Sequence, residues 1–184
     1  MSTAPPTTAG GERLARLAFA LVRFPELWIA LIPGVYGVLA VASPELAGHG
    51  HGRAGAFVFA LFRGLCHQMP SRSLFVAGHP MAVCARCFAL AAGLVLGAGV
   101  AGRVAALEAP RPDQARRWRA PFWGMCLAAV PMALDGFSQL FGLRESTNTL
   151  RVLTGALLGL TVAFWVVPHL YDAFDEQRRN YFNG

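Results

Sequence analysis

Residues 65–87 read LCHQMPSRSLFVAGHPMAVCARC, and this stretch contains three of the four cysteines of the chain. It also carries His67, His79, Arg72 and Arg86, whereas the segments on both sides of it are apolar. Unpaired polar and ionised groups are costly in hydrocarbon, so such a stretch belongs at a membrane surface or in a polar cavity. We therefore expect these residues to form the functional site of a membrane protein.

The composition is that of an integral membrane protein. Hydrophobic residues make up 55% of the 184 residues and charged residues only 14%, a balance that soluble domains rarely show. The net charge of +6 comes entirely from arginine, because the chain has no lysine. The arginines cluster in short connections and form no basic stripe on a soluble module, so nucleic acid is not an expected partner.

The apolar segments predict an all-α fold. A segment at 54–65 is too short to cross a bilayer, and we expect it to form a re-entrant or interfacial helix before Cys66. The small-residue spacing around Gly93 and Gly97 favours close helix contact. The remaining segments predict a bundle of four transmembrane helices, at about 27–43, 88–107, 120–143 and 150–171.

The distribution of arginine predicts the orientation. Residues 1–11, rich in Ser, Thr, Pro and Gly, are expected to be a disordered leader, and 12–184 a single polytopic membrane domain. With four spans, the N-terminus, the 103–119 connection and the C-terminal tail share one side, which carries ten of the 16 arginines. The positive-inside rule places that side in the cytoplasm. The stretch at 65–87 then lies on the outer face.

The cysteines predict a metal site or a redox site. Cys84 and Cys87 are separated by two residues at the start of a predicted helix, so they can jointly hold one metal or close one disulfide. Cys66 supplies a third sulfur, and His67 or His79 would complete a Cys3His zinc site. The alternatives are redox-active thiols, or a structural disulfide between Cys66 and one of the other two cysteines.

A second polar stretch, DGFSQLFGLRESTNTLRVLTG, begins at Asp135. Asp135 and Gln139 lie one helical turn apart, as do Asn148 and Arg151 at the start of the next helix. In a structural interpretation, Asp135 pairs with Arg144 or Arg151 and ties two helix ends together. In a functional one, the arginines and the helix start at Asn148 bind a phosphate or carboxylate, while Asp135 accepts a proton or binds a metal.

Together these motifs resemble a known family. They are CHQ followed by Pro and RS from Cys66 to Ser73, CxRC from Cys84 to Cys87, and DG, Gln, Arg, STN and RxxTG from Asp135 to Gly155. The pattern is similar to small bacterial integral membrane proteins catalogued as a domain of unknown function. This resemblance implies a multi-pass protein of the bacterial inner (plasma) membrane, and it implies no reaction.

Two further likenesses cover less of the chain. Asp135, Gln139, Arg144 and Asn148 are similar in order and spacing to the motif of VanZ-like membrane proteins, although the second acid of that motif is Gly136 here. The CxxC with its arginine also resembles quinone-linked disulfide oxidases of the bacterial membrane, which implies quinone as a cofactor. Those enzymes use a second cysteine pair, where this chain has one additional outward cysteine, Cys66.

The leading hypothesis is metal-assisted hydrolysis or group transfer on a lipid-borne or periplasmic anion, with zinc as the metal. The candidate catalytic residues are Asp135, as a proton acceptor, and His67. The alternatives are a quinone-linked thiol–disulfide oxidoreductase and a non-catalytic subunit or ligand-binding protein. Expected partners are membrane lipid, an anionic lipid headgroup or small anion, and another membrane protein or a second copy of the chain. The candidate ligand-binding residues are Arg72, Arg86, Gln139, Arg144, Asn148 and Arg151.

Overall fold

A computed structural model describes residues 9–22, 24–108 and 121–183. These residues are mostly helical, with one small two-stranded sheet. A short 3-10 turn, Pro70–Arg72, precedes the sheet. The helices and strands are α1 (Ala9–Val22), α2 (Pro25–Gly48), α3 (Gly52–Leu61), β1 (Ser73–Val76), β2 (His79–Cys84), α4 (Ala85–Glu108), α5 (Phe122–Leu140) and α6 (Asn148–Asn183).

Three of the described helices are long and apolar enough to span a membrane. They are α2, residues 85–104 of α4 and residues 148–177 of α6. Helix α5 has 19 residues, and Asp135 and Gln139 make its last turns polar. The apolar segment before Cys66 forms the ten-residue helix α3. Most of the predicted leader lies outside the described residues, whereas 9–11 begin α1.

Helices α4 and α6 pack with their backbones in contact. A methyl group added at Gly93 would lie 2.5 Å from the carbonyl oxygen of Ala156, and one at Gly159 would lie 2.2 Å from that of Leu90. Only glycine allows so close an approach, so the close contact predicted from the glycine spacing is confirmed. The contact places the first turn of α4 beside Gly155 of α6, where a methyl group would lie 2.5 Å from the carbonyl oxygen of Arg86.

The sheet corrects the all-α prediction. Strands β1 and β2 pair antiparallel, with Ser73 opposite Cys84 and Val76 opposite His79. Ala77 and Gly78 connect them, both with positive φ, at 50° and 77°, as expected for a two-residue hairpin turn. Cys84 is therefore the last residue of a strand, and α4 begins directly after it.

The hairpin lies against the end of α2 and against α3. Met81, Ala82 and Val83 of β2 are buried and form a core with Ala40 of α2 and with Phe62. Burial of three consecutive strand residues means that both faces of β2 are covered. The hairpin thus closes one end of the helical bundle, and it brings Cys84 to that end.

Candidate functional site

Three cysteine sulfurs meet at the closed end of the bundle. The Sγ atoms of Cys66, Cys84 and Cys87 all lie within 4.8 Å of one another. Cys66 follows α3 and its backbone N–H donates to the carbonyl oxygen of Phe62 at 3.0 Å. Cys84 ends β2 and Cys87 lies in the first turn of α4. All three are free thiols, so the sequence prediction that these cysteines form one cluster is confirmed.

Backbone hydrogen bonds fix the sulfurs relative to one another. The N–H of Cys84 donates to Sγ of Cys66 at 3.2 Å. Gln68 has a positive φ of 52°, and its Nε2 donates to the carbonyl oxygens of Phe59 at 2.5 Å and Ala82 at 2.9 Å. The glutamine of the CHQ motif therefore joins α3 to β2 and holds Cys66 in the cluster. Sequence analysis gave Gln68 no role.

Tyr36 of α2 is a member of the site that sequence analysis missed. Its hydroxyl lies within electrostatic range of all three cysteine side chains, Cys87 foremost, and its ring packs edge-on against Phe62 with the ring centroids 5.0 Å apart. A phenol can donate to a sulfur, and donors of this kind orient metal-binding thiolates. Tyr36 lies in an apolar helix remote from the cysteines in sequence, and no local pattern distinguishes it.

The cluster favours the thiolate of Cys84. The hydrogen bond from the Cys87 thiol lowers the pKa of Cys84 to about 5, against the opposing effect of burial. The backbone N–H groups of Cys87 and Arg86, at the start of α4, contribute further to the lowered pKa. Cys84 is thus the nucleophilic sulfur and the first candidate for a metal ligand.

Asp135 forms a separate and complete cluster. Its carboxylate accepts from Nη2 of Arg86, from Nη2 of Arg144 at 2.6 Å and from Oγ of Ser146 at 2.7 Å. Its side chain is only 2% exposed. A buried carboxylate with two ion pairs and a hydroxyl donor is fully compensated. This geometry matches the structural interpretation of Asp135, with Arg86 as a partner that the sequence did not indicate.

Asn148 and Arg151 lie in the first turn of α6. The Thr147 hydroxyl caps this turn, because it accepts a hydrogen bond from the N–H of Leu150 at 3.3 Å. Nη1 of Arg151 donates to Oδ1 of Asn148 at 2.7 Å and to the carbonyl oxygen of Ser71 at 3.4 Å. Nδ2 of Asn148 donates to the carbonyl oxygen of Ser73 at 3.2 Å. Arg151 is buried. These bonds join α6 to the segment before the hairpin.

The two polar stretches of the sequence converge. Arg86 lies between Cys84 and Cys87 in sequence and forms an ion pair with Asp135. Arg151 is within electrostatic range of Arg72, Arg86, Asp135 and Cys84. Arg72 is half-buried and forms no ion pair or side-chain hydrogen bond with any residue that the structure describes. Arg151, which has unused donors, therefore lies within range of Cys84, and Arg72 lies within range of Arg151.

The structure leaves the other predicted site residues outside these contacts. His67 and His79 are exposed, and neither belongs to the sulfur cluster. His79 begins β2 and Cys84 ends it, so five residue steps along the strand separate them by roughly 16 Å. Gln139 is half-buried one turn after Asp135, without a side-chain hydrogen bond within the described ranges.

Comparisons with known proteins agree with the membrane character of the chain. Residues 66–165 match the model of the family described as "Predicted membrane protein (DUF2085)". A protein of Methanocaldococcus jannaschii, named only as uncharacterized, is 40% identical over 116 residues, which are 62% of this chain and 69% of that protein. A protein of Methanothermobacter thermautotrophicus, also named only as uncharacterized, is 39% identical over 111 residues, which are 59% of this chain and 92% of that protein. No solved structure is significantly similar. The matched region begins at Cys66 and contains both polar clusters.

Proposed function

We propose, from the premise that the chain belongs to the family of predicted membrane proteins (DUF2085), that it holds one zinc ion on Cys66, Cys84 and Cys87. The observation that supports this most directly is the mutual approach of the three sulfurs to within 4.8 Å. Thiolates are preferred zinc ligands, and such ligands usually have outer hydrogen-bond donors, as Cys66 has in the N–H of Cys84. The phenol of Tyr36 would be the donor to Cys87.

In this proposal, α5 is the fourth span of a multi-pass protein of the plasma membrane, with both termini cytoplasmic. Its 19 residues extend about 28 Å, close to the thickness of the hydrocarbon core. The sulfur cluster then lies on the extracytoplasmic face. Five of the ten arginines that set this orientation, at positions 23, 111, 116, 117 and 119, lie outside the described residues. A C-terminal GFP fusion is expected to fluoresce and an alkaline phosphatase fusion to be inactive; the reverse would contradict the orientation.

Three sulfurs leave the fourth position of a tetrahedral zinc ion to water or to an anion, the arrangement of a catalytic rather than a closed structural site. His67 and His79 would have to move to close it. Such a site suits metal-assisted hydrolysis or group transfer on a lipid-borne or periplasmic anion. Arg72 and Arg151 would hold the anion and stabilise charge that develops on it. The complete cluster of Asp135 would keep Arg86 in place.

Thiol–disulfide exchange, linked to quinone, is the second candidate. The observation that favours it is the lowered pKa of Cys84 within a CxxC at a helix start, which is the usual setting of a reactive thiolate. In this case quinone would take two electrons and two protons from Cys84 and Cys87, which forms quinol and a disulfide between the two cysteines. A partner thiolate would then attack Cys87 and release the thiolate of Cys84, and a second partner thiol would displace Cys87 to complete the partner's disulfide.

Metal content and thiol state of the purified full-length protein separate the two candidates. We expect one equivalent of zinc by elemental analysis, with Cys84 and Cys87 reduced. Cys66→Ser, Cys84→Ser and Cys87→Ser should each lose the metal. Cys126→Ser is the matched control, because Cys126 is exposed on α5 and outside the cluster, and it should keep the metal. A metal-free protein with a Cys84–Cys87 disulfide would overturn the zinc proposal and support the oxidoreductase.

A further inference from the structure

The site carries more positive charge than its own acid can balance. Arg151 lies within electrostatic range of both Arg72 and Arg86, and Arg86 pairs with Asp135. Asp135 is the one buried acid among the described residues. Arg144 pairs with the same carboxylate, but its side chain is half exposed to solvent. Without Arg144, three arginines and one aspartate leave two net positive charges. A zinc ion on three thiolates contributes one negative charge, so positive charge remains when the metal is bound.

Exposed acids do not neutralise this excess. Glu145 is adjacent to Arg144 in sequence, but it is exposed and forms no ion pair within the described part of the chain. Arginine does not lose its proton in proteins, so the charge cannot be relieved by titration. Uncompensated charge beside an apolar bundle is costly. A bound anion would remove that cost.

The unused hydrogen-bond donors point the same way. Nε of Arg86 is buried and has no partner among the described residues. Arg151, which is 4% exposed, makes its hydrogen bonds in the described structure through Nη1 alone. The guanidinium of Arg72 makes none there. Guanidinium groups match the oxygen spacing of phosphoryl groups, so two of them can bind one such group from different sides.

We propose that Arg72 and Arg151 bind a phosphoryl dianion, as inorganic phosphate or as a phosphomonoester lipid headgroup. This inference rests on the anion-binding role of these two arginines in the proposed function and names the ligand class. A phosphomonoester has three acceptor oxygens and carries about −1.5 to −2 at pH 7, so it offers acceptors and charge to both guanidinium groups. A phosphodiester, such as the headgroup of phosphatidylglycerol, has two such oxygens and one negative charge, so it satisfies the two groups less well.

The test is a calorimetric titration of the full-length protein with inorganic phosphate. Two samples of measured zinc content are compared, one zinc-loaded and one treated with a chelator. Positive charge remains in both states, so we expect binding in both. Methyl phosphate should compete and dimethyl phosphate should not. Arg72→Met is expected to weaken phosphate binding about 10- to 100-fold. Arg103→Met, which removes an exposed arginine from the far end of α4, should leave it unchanged. Arg151→Lys keeps the charge but loses the paired N–H donors of the guanidinium group, so it should weaken phosphate binding less than Arg72→Met does.

Nanodiscs distinguish the two sources of the group. If phosphatidic acid in the nanodisc abolishes phosphate binding and phosphatidylglycerol does not, then the two arginines bind the lipid headgroup. If phosphate binds equally well in nanodiscs of either lipid, then the free phosphate ion is the ligand. Two results would overturn this inference and leave the zinc proposal intact. One is zinc-containing protein that binds phosphate no better than chloride, and the other is an Arg72→Met variant that binds phosphate as tightly as the parent. Zinc-free protein that still binds phosphate through Arg72 supports this inference and overturns only the metal proposal.

Discussion

Arg86 separates two polar clusters that the chain builds from distant segments. On one side, Asp135 accepts from Arg86, Arg144 and Ser146, and each of its oxygens has a donor. On the other side, three sulfurs lie within 4.8 Å of one another, and Cys84 is within electrostatic range of Arg151, which is in turn within range of Arg72. A complete cluster stabilises the fold, whereas an incomplete one has capacity for a ligand. We therefore propose that ligands bind on the sulfur side and that Asp135 stabilises the fold.

Asp135→Asn is the substitution that tests this comparison most strongly. It leaves the half-buried Arg86 and the Arg144 side chain without a counter-charge, and we expect a loss of roughly 3–5 kcal/mol in the free energy of unfolding. Thermal unfolding in detergent measures it. The control is Glu45→Gln, because Glu45 pairs with His49 at the surface, at 3.5 Å, and such pairs contribute about 0–1 kcal/mol. A normally stable Asp135→Asn protein that had lost only ligand binding would instead make Asp135 part of the working site.

Gly155→Ala tests how the helix contact positions Arg86. A methyl group at Gly155 would lie 2.5 Å from the carbonyl oxygen of Arg86, so α4 and α6 must separate at the point where both clusters meet. We expect a loss of about 1–3 kcal/mol in the free energy of unfolding. Gly99→Ala is the matched control, because no atom lies within 4 Å of a methyl group there and alanine favours helix by about 1 kcal/mol. Equal stability of the two variants would contradict the close packing.

Much of the fold could be predicted from the sequence, because apolar length and glycine spacing are local signals. They gave α2, α4 and α6, the short helix before Cys66 and the close contact at Gly93 and Gly97. The hairpin could not be predicted in the same way. Its strands have four and six residues, and the buried run at Met81–Val83 lacks the alternation that marks a strand with one exposed face.

The site could be predicted only where its residues are close in sequence. The three cysteines occur within 22 residues, and their cluster was expected. The pairing of Arg86 with Asp135 spans 49 positions, so the sequence offered Arg144 and Arg151 as partners and only Arg144 was right. Tyr36 contributes through packing between helices. Long-range contacts of this kind leave no pattern in a single sequence.

Tyr36→Phe sharpens the sulfur side of the comparison. The change removes the hydroxyl that lies within electrostatic range of Cys87 and keeps the ring that packs on Phe62. We expect zinc affinity to fall about 10-fold or more, since outer donors to metal ligands typically contribute 10- to 100-fold. Competition with a calibrated chelator measures the affinity. Tyr171→Phe removes a hydroxyl that donates to Glu26 at 2.7 Å, away from the sulfurs, and should leave zinc affinity unchanged. Equal losses in the two variants would show that Tyr36 acts only on stability.

The smallest expected effect is in the reactivity of Cys84 in metal-free protein. Its pKa is lowered to about 5, so it is mostly thiolate at both pH 8 and pH 6, and its rate of alkylation should hardly change between them. An ordinary thiol with a pKa near 8.5 loses about 75-fold in thiolate over the same interval. Trypsin places the three cysteines of the cluster in different peptides, because Arg72 and Arg86 lie between them, so mass spectrometry can follow each rate separately. The Cys87 thiol is the main cause of the lowered pKa, and Cys87→Ala should therefore raise the pKa of Cys84 and restore the dependence on pH. Alkylation that already falls steeply below pH 8 in the parent protein would mean that Cys87 does not donate to Cys84, and that the sulfur cluster is not arranged to favour a thiolate.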